Sequence, residues 1–144
     1  MLWSEQYDEP TEGYHAFSEA VLRVAKNVVQ SHLPVVLSGA GIGVPPNITS
    51  CVESRYFSSF DFLVLTCERE TLRKRLLART SWRGTSSGEK LTEQLEFNGW
   101  FRDKAPNLGV SMEFADATHA QEEETVVAVR SWIEAKVSRL FDPQ

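Results

Sequence analysis

The residues best suited to chemistry in this chain lie in one stretch. Arg69, Arg73, Lys74, Arg75, Arg79 and Arg83 fall between positions 69 and 83 with Glu70 the only acid among them, a local charge of +5. The chain as a whole carries a net charge of -5. A cationic cluster in an acidic protein suits an anionic ligand, and arginine suits phosphate through its planar fork of donors. The plainer alternative is a solvated helix face with a few salt bridges. Helical phase does not choose between them. At 100° per residue Arg79 lies about 20° from Leu72 and Arg75 about 60° from it, while Arg73 falls between Leu76 and Leu77 on the apolar arc.

Other candidates are weaker. Gly39-Ala40-Gly41-Ile42-Gly43 follows an apolar run, as a dinucleotide-binding turn would, but Val44-Pro45-Pro46 blocks the helix that should face a pyrophosphate. The glycines either let a ligand approach the backbone or simply make a tight turn. Gly84-Thr-Ser-Ser-Gly88-Glu89-Lys90-Leu91 imitates a phosphate-binding loop. It has one residue too few between the glycines, a glutamate before the lysine, and leucine where a magnesium-binding hydroxyl belongs. Gln94 and Asn98 share a face with Leu91 and Leu95, so each amide needs backbone or ligand partners, with backbone the favoured expectation. His15, His32 and His119 are scattered, with no neighbouring pattern for a triad or metal site. Cys51 and Cys67 are too few and too unpatterned for a disulfide scaffold or zinc site, and read as packed thiols.

These residues need elements to position them. Segment 1–13 is polar and reads as an arm. Tyr14, Phe17, Val21, Val24 and Val28 repeat at steps of three and four, which predicts a helix ending near Ser31 because Pro34 follows. Pro34 to Ser38 reads as a short buried strand. Phe60 to Cys67 is the strongest strand signal. Glu68 to Arg79 reads as a helix, Ser81 to Gly88 as a mobile loop, and Glu89 to Lys104 as a further helix. Val110 to Ala115 alternates like a strand. Thr118-His-Ala-Gln121 fits a capping box, followed by acids in a first turn and by Val126, Val129, Ile133, Val137 and Leu140 on an inward face. Strands alternating with helices predict an α/β fold, a parallel sheet flanked by helices, with ligands bound beyond the carboxyl ends of the strands. That makes Gly39–Gly43, the arginine region after Cys67, and Asp116–Thr118 the candidate site segments.

Composition narrows the class. The 144 residues suit a single domain, 42% hydrophobic and 24% charged. Twenty acids against fifteen bases disfavour a nucleic-acid binder. No apolar run approaches the ~20 residues of a membrane helix, and the acidic start does not resemble a secretory leader. The expectation is a cytoplasmic α/β domain.

The stretch Leu63-Val-Leu-Thr-Cys-Glu-Arg-Glu-Thr-Leu-Arg-Lys-Arg-Leu-Leu-Ala-Arg79 resembles the P-loop nucleotide and small-molecule kinases, which include the adenylate, shikimate and gluconate kinases. Their fourth strand ends in a short acidic turn, and a helix of the form Leu-x-x-Arg-Leu-x-x-Arg leads into a mobile lid. Leu72, Arg75, Leu76 and Arg79 match that form, and the likeness runs on through Trp82-Arg83-Gly84 and Gln94-Leu-Glu-Phe-Asn98-Gly-Trp. The chain is most similar to a bacterial group of uncharacterised or nucleoside-kinase-like P-loop proteins, over most of residues 14–135. The resemblance implies a P-loop NTPase-like, ATP-binding transferase. Arg79 and Arg83 would act on the ATP phosphates as a lid at about residues 80–104 closes. Arg75 would lie against the adenine, with Asp116 and Thr118 nearby. Gly39, Ala40 and Gly41 would face the acceptor, and Asn98 is kept with them as a candidate substrate-binding residue.

The family also implies ATP and magnesium, neither of which this chain demonstrates by itself. Its first strand, Walker A loop and first helix have no counterpart here, and none of the five lysines stands in a Gly-Lys-Ser/Thr context. The chain therefore looks like a kinase-like domain cut at its amino end. The expected function is ATP-dependent phosphorylation of a nucleotide or small hydroxyl substrate by a full-length form, with this chain inactive alone. The alternative is a non-catalytic remnant that binds a phosphorylated ligand or a protein partner. An uncovered strand edge would favour a homo-oligomer.

Overall fold

The computed structural model describes residues 15–39, 45–79, 88–103, 107 and 109–141. It is mixed helix and strand, mostly helical, with a small two-stranded parallel sheet flanked by helices. Its contacts divide into two compact units, Met1–Phe60 and Asp61–Gln144.

The first unit is built on α1 (His15–Val29). Phe17, Val21, Leu22 and Ala25 recur at helical spacing and are buried, with Ser18 beside them. This stripe packs on α2 (Pro45–Ser50) and on a 3₁₀ turn (Val52–Tyr56), which contribute Ile48 and Cys51 to the core. The helix stops where Pro34 requires. His32 adopts a left-handed φ of 59°, and the Ser31 and His32 amides close onto Val28 and Val29. Glu53 is nearly buried and is held by the Lys26 ammonium at 2.8 Å and Arg23 Nε at 3.4 Å. The Lys26 hydrogen bond is the main reason that the Glu53 carboxyl titrates below the usual glutamate range.

Residues 34–38 form no regular element and pair with no strand among the described residues, and Val36 and Leu37 are exposed. The expected buried strand is therefore absent there. A short β-branched run favours extended backbone, but strand status needs a partner ladder, which the run itself cannot specify.

In the second unit β1 (Leu63–Thr66) pairs in parallel with β2 (Glu113–Asp116), Leu63 opposite Glu113 and Thr66 opposite Asp116. Between them come α3 (Arg69–Leu77) and α4 (Gly88–Asp103). A parallel pair requires such a crossover. α4 packs on α3 and on β1, burying Leu76 and Leu95. Phe97, Trp100 and Phe101 form an edge-to-face cluster on α4, with ring centroids 4.8 and 5.0 Å from Phe101. α5 (Glu122–Phe141) follows β2. At the amino ends of the strands, Lys136 of α5 reaches Asp61 at 3.1 Å and Glu113 at 2.5 Å.

The capping box lies three residues further on than expected. Gln121, not Thr118, precedes α5, and the Glu124 carboxylate accepts the Gln121 amide at 2.8 Å. The α5 stripe is only partly inward. Val129, Ile133 and Val137 are half-buried, whereas Val126 and Leu140 are exposed.

Candidate functional site

The carboxyl ends of β1 and β2 are tied together through Cys67 and Thr118. Asn98 of α4 grips the Cys67 backbone from both sides. Its Oδ1 accepts the Cys67 amide at 3.1 Å, and its Nδ2 donates to the Cys67 carbonyl at 2.8 Å. Arg102, one turn on, donates to the same carbonyl at 3.1 Å. The Thr118 side chain is buried. Its hydroxyl accepts the Glu68 amide at 2.9 Å and donates to Asp116 Oδ1 at 2.5 Å. The Thr118 amide donates to the same Asp116 oxygen at 2.9 Å. These hydrogen bonds, the hydroxyl's first, hold the Asp116 carboxyl below the usual aspartate range.

Arg75 closes the arrangement. Its guanidinium donates to the carbonyls of Ala117 at 2.7 Å, Ala120 at 3.1 Å and Thr118 at 3.3 Å. One side chain on α3 thus satisfies most of the turn between β2 and α5. Four of the residues singled out in the sequence, Arg75, Asn98, Asp116 and Thr118, therefore converge here, and each is engaged with the chain's own backbone or with another of the four. For Asn98 this is the backbone role that its position on an apolar face suggested.

Arg79 is different. It is exposed two residues past the end of α3, and its guanidinium has no hydrogen-bond or ion-pair partner among the described residues. The only ion pair on α3 among the described residues is a long one, Arg73 to Glu70 at 3.9 Å. Arg83, Ala40 and Gly41 lie outside the described residues, as do positions 80–87 and 104 of the expected lid, whose remainder is α4. Gly39 belongs to the first unit and has a φ of 142°. That backbone alone calls for glycine there, whatever approaches it.

Two carboxylates belong to this end, Glu68 at the start of α3 and Asp116 at the end of β2; one oxygen of Asp116 is committed to Thr118, and Arg102 and His119 contribute positive charge around it.

A second grouping lies in the first unit and was not legible in the sequence. His15 and Glu19, one turn apart on α1, meet Cys51, with all three ligating atoms within 4.8 Å of one another. Cys51 Sγ is 3.7 Å from His15 Nε2 and 3.2 Å from the Asn47 carbonyl oxygen. Burial first, and then the Glu19 carboxylate, pushes the Cys51 thiol up. The one available signal was the i, i+4 spacing of His15 and Glu19, which puts both on one helix face.

The chain matches no protein-family model, no curated protein and no solved structure. No helix among the described residues is long and apolar enough to cross a membrane.

Proposed function

We propose that the Asp61–Gln144 unit is P-loop-kinase-like and binds the phosphate chain of an ATP-class nucleotide through the cationic surface of α3. The observation that carries this reading is the charge of Arg69 and Lys74 on α3 and of Arg79 just past its end, none of them in an ion pair among the described residues, on a segment that rises directly from the carboxyl end of a parallel strand. Ligands of parallel sheets collect at that end. Arg79 is the principal phosphate contact, joined by Arg83, since an arginine with unspent donors offers a bidentate fork to phosphate. Arg75, Asn98, Asp116 and Thr118 position α3 and the following turns.

Phosphoryl transfer to a nucleotide or small hydroxyl acceptor is the reaction of the kinases that the chain resembles. It needs a loop that cradles phosphate and a hydroxyl that holds magnesium. The 144 residues contain no Gly-Lys-Ser/Thr sequence, so the chain by itself binds nucleotide without turning it over. Calorimetric titration of the chain with ATP, in EDTA as well as in magnesium, tests this. Binding of ATP and of tripolyphosphate, with adenosine much weaker, is expected. No binding at millimolar concentration would reject the nucleotide reading, and ATP turnover by the chain alone would reject its non-catalytic part.

One feature favours a second reading, a non-catalytic remnant that pairs with a second copy of itself. Among the described residues each strand of the sheet pairs on one side only, and Leu65 lines an apolar cleft of about 510 Å³ with Val126, Val129 and Ile133. Open edges and apolar clefts invite pairing. Sedimentation equilibrium decides it, because a monomer at high concentration would exclude that reading.

A further inference from the structure

The His15, Glu19 and Cys51 grouping takes no part in the nucleotide reading and has the composition of a metal centre. We propose that these three side chains bind one divalent transition-metal ion of the zinc class, with the fourth position open to water or to an external ligand. Three observations converge. First, the donor set is mixed: one thiolate sulfur, one imidazole nitrogen and one carboxylate oxygen, all within 4.8 Å of one another. Nitrogen and sulfur donors select zinc-like ions over magnesium or calcium. Second, the spacing fits. With Zn–S about 2.3 Å and Zn–N about 2.0–2.1 Å, a tetrahedral ion sets its sulfur and nitrogen roughly 3.6 Å apart. Cys51 Sγ and His15 Nε2 stand 3.7 Å apart.

Third, the donors sit on a framework that packing already fixes. His15 and Glu19 project from successive turns of α1, and the next residues in its stripe, Phe17, Ser18, Val21 and Leu22, are buried. Cys51 is 2% exposed, at the junction of α2 and the 3₁₀ turn. Little ordering cost is then left for the ion to meet. The same burial argues against a Cys–His nucleophile, since a reactive thiol needs access and an electropositive setting. On binding, the Cys51 S–H bond breaks, its proton leaves to solvent, and the sulfur lone pair forms the metal bond. The contact with the Asn47 carbonyl is given up with that proton.

Cobalt(II) is the probe, because a thiolate on tetrahedral cobalt gives a sulfur-to-metal charge-transfer band that carboxylate and imidazole do not. Chelator-treated full chain under reducing conditions is titrated with cobalt and then with zinc. The expected result is a band that saturates at one equivalent, is displaced by zinc, survives in Cys67→Ser and disappears in Cys51→Ser. Should Cys51→Ser fail to fold, Glu19→Gln replaces it, because Glu19 is only half-buried; loss of one ligand should then weaken cobalt binding roughly tenfold or more. No band in the unmodified chain, a band that persists in folded Cys51→Ser, or an affinity unchanged by Glu19→Gln would overturn the site.

Discussion

The two units use their polar side chains in opposite ways. Around Cys67, in the second unit, Asn98, Arg102, Thr118 and Arg75 are taken up by backbone groups and by Asp116, and they hold the ends of two strands and the starts of two helices in place. Around Cys51, in the first unit, His15, Glu19 and a thiol face one another with much of their ligating capacity unspent. Sequence pattern points the other way. The arginines crowd together and suggest a ligand, while Cys51 lies far along the chain from His15 and Glu19. A cluster in sequence is weak evidence for a site until it is known which of its donors are already occupied.

That contrast can be broken by substitution. The largest effect should come from the apolar base of the first unit. Leu22 is fully buried on the α1 stripe that fixes His15 and Glu19. Leu22→Ala should cost about 2–5 kcal/mol, measured by denaturant unfolding. A loss under 1 kcal/mol would mean that the stripe does not anchor the cluster. Next come the polar ties. Asn98→Ala removes both partners of the Cys67 backbone made by that amide, and should cost about 1–3 kcal/mol. Asn98→Asp should not restore the loss, because a carboxylate cannot donate to the Cys67 carbonyl. A variant as stable as the parent would show that the grip is dispensable.

Smaller effects sharpen the comparison. The Glu53 carboxyl has a lowered pKa in the folded chain, so its contribution is present above the ordinary glutamate range and is lost as pH falls through the folded value. Lys26→Met removes the main cause of that shift. Its melting temperature should be lower at neutral pH, and should fall less steeply on acidification than the parent's. Parallel profiles would remove Lys26 from the account. The smallest effect is at His32, whose left-handed φ suits glycine better. His32→Gly should be neutral or stabilising by less than about 1 kcal/mol, read by thermal melting.

Much of the fold was legible because its signals are local. The apolar run at 60–67 contains β1, the alternation at 110–115 overlaps β2, and the helix expected at 89–104 is found at Gly88–Asp103. Failures came where distant partners decide. The run at 34–38 carries the same residues as a strand but finds no ladder among the described residues. Thr118 has the chemistry of a helix cap, yet Asp116 and the Glu68 amide compete for its hydroxyl, and the cap passes to Gln121. Arg75, Asn98, Asp116 and Thr118 do meet at the strand ends, but Arg75 finds carbonyls that the parallel pairing brings near and Asn98 finds the Cys67 backbone through the packing of α4 on β1. Cys51 could not have been joined to His15, because 36 residues separate them and the meeting depends on how α1 packs against α2.

The most direct test separates two arginines of one cluster, Arg75 and Arg79. Thermal melts of the chain, Arg75→Ala and Arg79→Ala are compared with and without millimolar ATP, since a ligand of the folded state raises the midpoint by mass action. The account predicts that Arg79→Ala keeps the ligand-free midpoint and loses most of the ATP shift. Arg75→Ala should lower the ligand-free midpoint, at a cost of about 1–2 kcal/mol from the released carbonyls. An Arg75→Ala chain that melts like the parent but no longer responds to ATP, beside an Arg79→Ala chain that still does, would contradict it.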